Sequence, residues 1–199
     1  GGGELYIPTG TEYSVNTLTI RSEGDAVGVV DVQGTLNCTN TTLMHSKRFH
    51  NVGSDWRWYY FSLPYDCNVS EVTFSNGEPA VHGVDFQIDW YDGEQRATTQ
   101  ANGNWKSIAE HPEFPNVIKA GYGYTIACEE MTGHDNVTLV FPMANFEEIN
   151  DQLAVPVGNW GAGDDAVAVN HKGWNVVGNP FISKYKAQED IDINGTLTT

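Results

Sequence analysis

The sequence predicts an all-β protein in which a jelly-roll-like β-sandwich follows a short N-terminal β section. Two aromatic runs, residues 58–64 and 174–180, each end at a proline. Proline cannot donate a hydrogen bond to a sheet ladder, so it ends a strand. Between these runs, residues 84–91 alternate apolar and polar side chains with the period of two that a half-buried strand requires. Short strands separated by glycine- and asparagine-rich turns are typical of sandwiches and barrels.

The composition and net charge of the chain argue against two kinds of binding partner, nucleic acids and membranes. The 199 residues include 10 Lys and Arg against 26 Asp and Glu, which gives a formal net charge of −16. A surface this acidic repels phosphate backbones and anionic lipids. No apolar run approaches the roughly 18 residues that a membrane-spanning helix needs. We therefore expect no binding to nucleic acid and no membrane insertion.

Residues 1–50 are predicted to form the N-terminal section. Short β tracts such as residues 17–20 and 30–36 are separated by Gly, Asn, Thr and Ser. Their spacing of roughly 11–14 residues suits the end of a parallel β-solenoid, in which each rung buries its face against the next. It suits an antiparallel meander that belongs to the sandwich equally well. The sequence leaves both arrangements open.

Residues 51–199 are predicted to form the sandwich. We expect Asp92 and Gly93 to make a turn, and residues 145–153 are the only stretch with helical character. Aromatic residues in strands bury large areas, so they should supply much of the core. The predicted strands cover residues 58–64, 69–74, 84–91, 121–128, 137–141, 166–170 and 174–177. The predicted structural core consists of Trp58, Pro64, Trp90, Tyr124, Trp174 and Pro180.

Several motifs occur in one order along residues 45–185. They are a "W…sxP" strand at 58–64, "YDG…RA" at 91–97, "GNW" at 103–105, "aGxGY" within 119–126 and "GWNxxGNP" at 173–181. This ordered set resembles a β-rich module of large secreted surface proteins from type IX-secreting, gut-commensal Gram-negative bacteria. The resemblance implies an adhesin-like, cell-surface module. The sorting domain and anchor of such proteins are absent, and the chain opens with three glycines, so we expect it to be part of a longer chain.

No pattern in the sequence assembles a catalytic centre. The six histidines are scattered without the paired spacing of metal ligands. The nucleophile elbow, the phosphate loop and the dinucleotide fingerprint are all missing. Asp85, Asp89 and Asp92 lie on or beside one predicted strand, but a glycosidase needs two carboxyls that face each other across a cleft. We predict that the protein is not an enzyme and uses no cofactor.

Two tryptophans in loops are the candidate ligand-binding residues. Trp105 and Trp160 follow Gly-Asn pairs, and a tryptophan in such a loop offers a face on which a sugar ring can stack. Trp160 is the stronger candidate because it lies outside the resembling motifs, with Asn159 and Asp164 as polar neighbours. The alternative is that each tryptophan folds back as a plug over the end of the sandwich. Asp164 and Asp165 could hold calcium, but the loop lacks the spacing of a dedicated calcium site, and a solvated turn is the favoured interpretation.

The three cysteines indicate neither a zinc site nor a disulfide framework. Cys38, Cys67 and Cys128 are odd in number and lack CxxC spacing. We expect them to be small buried hydrophobic residues. A single bridge between Cys38 and Cys67 is left open.

The function predicted from these observations is that of a non-catalytic extracellular module that displays an adhesive surface. The second hypothesis is a carbohydrate-binding module that uses loop aromatics, and the third is a glycoside-cleaving enzyme. Its partner would be a glycan or a protein surface of a host or matrix. An extended face without a pocket would favour adhesion, a coplanar pair of exposed aromatic rings would favour sugar binding, and two facing carboxyls would favour the enzyme.

Overall fold

Strands predominate in the structure, as the sequence predicts. The computed structural model describes residues 3–23, 26–38, 43–50, 58–128, 136–143 and 155–179. These ranges contain one α-helix, α1 (Gly93–Thr99), and the chain is all-β in class. The strands are β1 (Glu4–Ile7), β2 (Glu12–Val15), β3 (Leu18–Glu23), β4 (Ala26–Val27), β5 (Val29–Val32), β6 (Thr35–Cys38), β7 (Leu43–His50), β8 (Tyr59–Phe61), β9 (Cys67–Asn68), β10 (Thr73–Phe74), β11 (Phe86–Tyr91), β12 (Trp105–Ser107), β13 (Val117–Ile118), β14 (Tyr124–Cys128) and β15 (Asn136–Met143).

The N-terminal strands pair in parallel. β1 pairs with β5, β2 with β6 and β3 with β7, so each strand of the first set lies beside the strand four places later in the chain. An antiparallel meander would pair consecutive strands in opposite directions instead. The one antiparallel pair in this section joins β3 to β4 at the end of β3.

Two larger sheets carry most of the fold. The five-stranded sheet has the order β10-β15-β7-β3-β4, and the four-stranded sheet has the order β12-β11-β14-β8. β7 pairs with β15 along all eight residues, so strand pairing crosses the predicted boundary at residue 50. β9 and β13 form a further two-stranded pair.

The two larger sheets share one hydrophobic core. The rings of Phe61 in β8 and Phe141 in β15 lie 4.8 Å apart between centroids. The hydroxyl of the buried Tyr65 donates a hydrogen bond to the carbonyl oxygen of Phe141 at 2.5 Å. Packing and this hydrogen bond thus join the sheets at the same point.

The predicted core is only partly correct. Pro64 and Tyr124 are buried, and the half-buried Trp90 packs against the core. Trp58 and Trp174 were predicted to be core residues, but 47% of each is exposed. In β8 the inward positions belong to Tyr59 and Phe61, and Trp174 does not lie in a strand. Pro180 lies outside the described residues.

Four local predictions need correction. The strand predicted at residues 69–74 begins instead as the 3₁₀ helix Val69–Glu71, and only Thr73–Phe74 is a strand. Instead of a turn at Asp92 and Gly93, the chain forms α1, which Asp92 caps by accepting a hydrogen bond from the Gln95 amide at 2.8 Å. Residues 166–170 contain no strand, and the 3₁₀ helix Val169–His171 lies there. Residues 174–177 contribute a single bridge between Val177 and Tyr122. The helical stretch predicted at 145–153 lies outside the described residues.

The helices of the described ranges are short. The other 3₁₀ turns are Val69–Glu71 and Ile108–Glu110. None of these helices has the length and apolar character needed to cross a membrane.

Candidate functional site

The outer face of the four-stranded sheet carries aromatic and polar side chains. In β8, Phe61 is buried, whereas 80% of its neighbour Tyr60 is exposed. In β11, Ile88 is fully buried and the next residue, Asp89, is half-buried on the opposite face. Alternation along β8 and along the first half of β11 therefore separates a buried apolar face from a face that carries aromatic and polar side chains.

Strand register aligns these outward side chains across the sheet. Asp89 lies opposite Thr125 of β14 on one side and opposite Ser107 of β12 on the other. Thr125 in turn lies opposite Tyr60. One row across the sheet thus runs from an aromatic ring through a hydroxyl to a carboxylate. In β12, Trp105 lies opposite Tyr91 of β11.

Two aromatic side chains lean over this row from opposite edges of the sheet. Tyr60 and Trp105 belong to β8 and β12, which are separated by β14 and β11. Neighbouring strands lie about 4.8 Å apart, so the two edge backbones are three such spacings from each other. Even so, the two ring centroids are only 6.2 Å apart. The side chains must therefore extend inward over the middle strands.

The resulting space is named the aromatic cleft here. It has a volume of about 320 Å³ and is lined by Trp58, Tyr60, Asp89, Trp105 and Thr125. This volume is at the lower end of the range of roughly 300–1,000 Å³ in which proteins hold small ligands. Mostly aromatic walls with a few polar groups are also the usual lining of such pockets.

The cleft is a wedge, not a flat platform. The planes of Tyr60 and Trp105 are inclined by 57°, so the coplanar aromatic pair expected for sugar binding is not formed by these two rings. Below them, the carboxylate of Asp89 accepts a hydrogen bond from the Gln87 side-chain amide at 2.6 Å. This hydrogen bond fixes one carboxylate oxygen. The other has none described and is left to accept a further hydrogen bond.

A chain of contacts holds Trp105 in position. The ring of Tyr91 meets Trp105 edge to face, with centroids 5.1 Å apart. The guanidinium of Arg96 donates to the Tyr91 hydroxyl at 2.7 Å and to the Asn170 carbonyl oxygen at 3.0 Å. The same guanidinium lies 4.3 Å from the ring centroid of Trp174. Trp105 is thus supported from behind by a side chain that is itself anchored, which reduces the entropy lost when a ligand binds.

Trp160, the stronger candidate by sequence, does not line the cleft. It is half-buried and packs against Gly93 and Gly158, where a Cβ atom on either glycine would overlap the indole ring. Its carbonyl oxygen accepts a hydrogen bond from the Gly173 amide at 2.9 Å. The indole of Trp160 is thus packed against the chain and is not a free-standing face for a ligand. Trp105, which was predicted to lie in a loop, is the first residue of β12. Of the two candidate tryptophans, only Trp105 lines the cleft.

The polar neighbours of Trp160 shape their own loop. The Asn159 carbonyl oxygen accepts from the Ala162 amide, and Asp164 Oδ1 accepts from the Ala166 amide at 2.9 Å. Asp164 and Asp165 are both exposed. Among the described residues, no three His, Cys, Asp or Glu side chains are grouped as metal ligands. The hydrogen bonds of Asp164 match the solvated turn that the sequence favours.

Cys67 and Cys128 are buried and carry free thiols. The bridge between Cys38 and Cys67 that the sequence left open is therefore absent. Burial, helped by the negative charges of Glu71 and Asp66, raises the pKa of Cys67 to about 12. Burial also raises the pKa of Cys128, with a smaller contribution from Asp85. Neither thiol is an activated nucleophile, because both stay protonated at neutral pH.

Sequence reasoning missed most of the cleft. Of its lining residues, Trp105 was a ligand candidate, Trp58 was assigned to the core, and Tyr60 and Thr125 were not singled out. The alternation of residues 84–91 did place Asp89 on the face opposite the core. Comparisons with protein-family models, with curated proteins and with solved structures give no match. The chemistry of the cleft is therefore the basis for assigning a function.

Proposed function

We propose that the protein is a non-catalytic carbohydrate-binding module of an extracellular surface protein, and that the aromatic cleft is its sugar site. The observation that carries this proposal is the approach of Tyr60 and Trp105 to 6.2 Å above a carboxylate and a hydroxyl. Aromatic side chains that cluster on one exposed face are typical of an interaction site, whereas single exposed ones are common on any protein.

The two sides of a sugar ring match the two kinds of surface in the cleft. The C–H faces of the ring are apolar and can pack against Trp58, Tyr60 and Trp105. The hydroxyl groups at its rim can donate to Asp89 and exchange hydrogen bonds with Thr125. Hydrogen bonds to a carboxylate are the stronger kind. The inclined rings favour a single residue or a chain end over the flat side of a long polymer.

Weak binding at one site fits a role in adhesion. A cleft of this size and openness should bind a sugar with a Kd of about 1 mM, because little of the association cost is offset by a few contacts. Copies of the module presented together would gain avidity of about 10²–10⁴-fold. The resemblance to secreted surface modules and the acidic composition support an extracellular location for such display.

The inventory of carboxylates supports a binding role over glycoside cleavage. Asp89 is the one carboxylate among the described residues that lines the cleft. Glycosidases of the common kinds use two carboxyls, separated by roughly 5–10 Å according to mechanism. The proposal is accordingly a binding module.

The finer architecture is part of the same proposal. We infer that the two larger sheets are the layers of a β-sandwich of jelly-roll type, which is supported by their common core. We also infer that the N-terminal section is a short β-solenoid. Its support is the sequence of three parallel pairs, β1–β5, β2–β6 and β3–β7, in which one set of strands stacks on the next.

A glycan panel tests the proposed site. The purified protein should bind at least one neutral oligosaccharide family, and Tyr60→Ala and Trp105→Ala should each weaken that binding tenfold or more, about 1.4 kcal/mol per factor of ten. Tyr13→Ala is the matched control, since Tyr13 is also an exposed aromatic, 51% accessible, in the N-terminal section. If neither the wild type nor any variant bound a glycan, the assignment of the sugar site would be refuted. Equal binding by the wild type and all variants would also refute it.

A further inference from the structure

We propose that the aromatic cleft prefers a positively charged sugar, an amino sugar whose ammonium group is held by Asp89. This inference rests on the proposed function, because it names the ligand class of the same cleft. It goes beyond that function by assigning one group of the ligand to one side chain.

The first observation is the position of Asp89. It lies in the middle of the sheet, in the row between Ser107 and Thr125, beneath the rings of Tyr60 and Trp105. Because Asp89 lines the cleft, a ligand held against the aromatic walls can place one substituent against this carboxylate. Gln87 donates to Oδ1 and so directs the carboxylate without neutralising its charge.

The second observation is that Asp89 is not part of a described ion pair. Within the described ranges, the ion pairs join Lys106 to Asp92 and Lys119 to Asp66. The guanidinium of Arg96, which supports the cleft through Tyr91, donates to the Tyr91 hydroxyl and is stacked on Trp174. A half-buried carboxylate without a counter-ion favours a ligand that brings a positive charge.

The third observation is the chemistry of the walls. Aromatic faces attract cations through their negative quadrupole, and tryptophan is the most effective. Two tryptophans and one tyrosine line the cleft, and aromatic rings around a carboxylate are the arrangement that recognises ammonium groups. The formal net charge of −16 adds a long-range attraction for any cationic ligand.

The experiment compares two oligosaccharides of equal length that differ in one substituent: an oligomer of glucosamine, which carries amines, and its N-acetylated counterpart, which is neutral. At near-neutral pH and low salt we expect the glucosamine oligomer to bind about tenfold more tightly. This is the scale on which a hydrogen bond between charged groups exceeds a neutral one. Calorimetric titration gives both affinities.

Two isosteric variants distinguish a preference that is caused by Asp89 from one that is caused by the overall negative charge. Asp89→Asn keeps an oxygen for Gln87 and removes the charge, so it should weaken binding of both oligomers, that of the glucosamine oligomer about tenfold more, and the preference should disappear. Asp165→Asn removes one exposed charge from the 155–179 loop and should keep the preference. Equal affinities for the two oligomers in the wild type would overturn this inference and leave the sugar site standing. A preference that survives in Asp89→Asn would also overturn it, because it would come from overall charge. Failure of both oligomers and of all neutral glycans to bind would refute the proposed function itself.

Discussion

Two histidines are held in roles that only the neutral ring can fill. The Nε2 atom of His82 accepts a hydrogen bond from the Ile88 amide at 3.2 Å. The Nδ1 atom of His111 accepts from the amides of Glu113 and Phe114 at 3.2 and 3.3 Å, and its ring stacks on Phe114 with centroids 3.5 Å apart. A proton on either acceptor nitrogen would break these hydrogen bonds.

These contacts predict a loss of stability in mild acid. Burial lowers the pKa of both His82 and His111 in the folded protein. The unfolded chain therefore takes up protons at a higher pH, near the ordinary histidine value of about 6.5. The stabilisation is complete above that pH and falls as the pH drops through it. Unfolding in urea at a series of pH values between about 8 and 5 measures the slope.

Substitution identifies the groups responsible. The double variant His82→Gln, His111→Gln should have a smaller slope over this pH range, since glutamine offers an acceptor oxygen but does not titrate there. A double variant with an unchanged slope would show that other groups, carboxylates foremost, set the acid response.

Individual residues also show which features of the structure could not be predicted from the sequence. Residues 58–61 read Trp-Tyr-Tyr-Phe, so every position is aromatic. The hydropathy pattern therefore does not indicate which side chains face the core. The strand nevertheless has two faces, with Phe61 buried and 80% of Tyr60 exposed. Where polar and apolar residues alternate, as in residues 84–91, the buried face of Phe86 and Ile88 was predicted correctly. The cleft is built partly from β8, whose sequence does not alternate between polar and apolar residues. For this reason the cleft could not be predicted.

At the scale of elements, the unexpected feature is α1. The pair Asp92-Gly93 was assigned to a turn because both residues are common in turns. The sequence does hold a helix signal, since an N-cap aspartate followed three residues later by Gln95 resembles a capping box. A helix of seven residues is too short for periodicity to reveal, so capping chemistry is the only local indication.

α1 holds the loop of residues 155–179 against the sheet. The side chain of Gln100 at its C-terminal end donates to the Ala166 carbonyl oxygen and accepts from the Ala168 amide, both at 2.9 Å. At its N-terminal end, the buried Gly93 lies under Trp160 and the backbone of Trp174. The loop has little regular structure of its own, so these contacts determine its position.

Gly93→Ala should therefore loosen this loop. The added methyl group would overlap the Trp174 carbonyl oxygen and the Trp160 indole, and such overpacking costs about 1–3 kcal/mol. Limited proteolysis should cut within residues 155–179 faster than in the wild type, and thermal melting should occur at a lower temperature. Gly3→Ala is the control, because a Cβ atom there has no neighbour within 4 Å. An unchanged cutting rate would mean that the loop does not depend on this contact.

At the scale of the molecule, strand pairing joins what the sequence divided. Residues 1–50 and 51–199 were predicted to be separate units because the length and spacing of their β tracts differ. β7 belongs to the first range by number, yet it lies in the middle of the five-stranded sheet between β15 and β3. Pairing between strands far apart in the chain cannot be predicted from local composition. It depends on which sheet edges are free in the folded protein. The all-β class can be predicted from local patterns alone, whereas a domain boundary also depends on this long-range pairing.

This arrangement predicts that the chain unfolds as one cooperative unit. Ile20 of β3 is 4% exposed and Ile88 of β11 is fully buried, and both belong to the same core cluster. Truncation of either to alanine should cost about 2–5 kcal/mol. Each variant should shift a single transition to lower denaturant, with circular dichroism and tryptophan fluorescence coinciding. Leu5→Ala, at a residue that is 38% exposed, should shift it far less. If Ile20→Ala instead produced an early transition in circular dichroism alone, the N-terminal section would unfold independently, and residue 50 would be a true domain boundary.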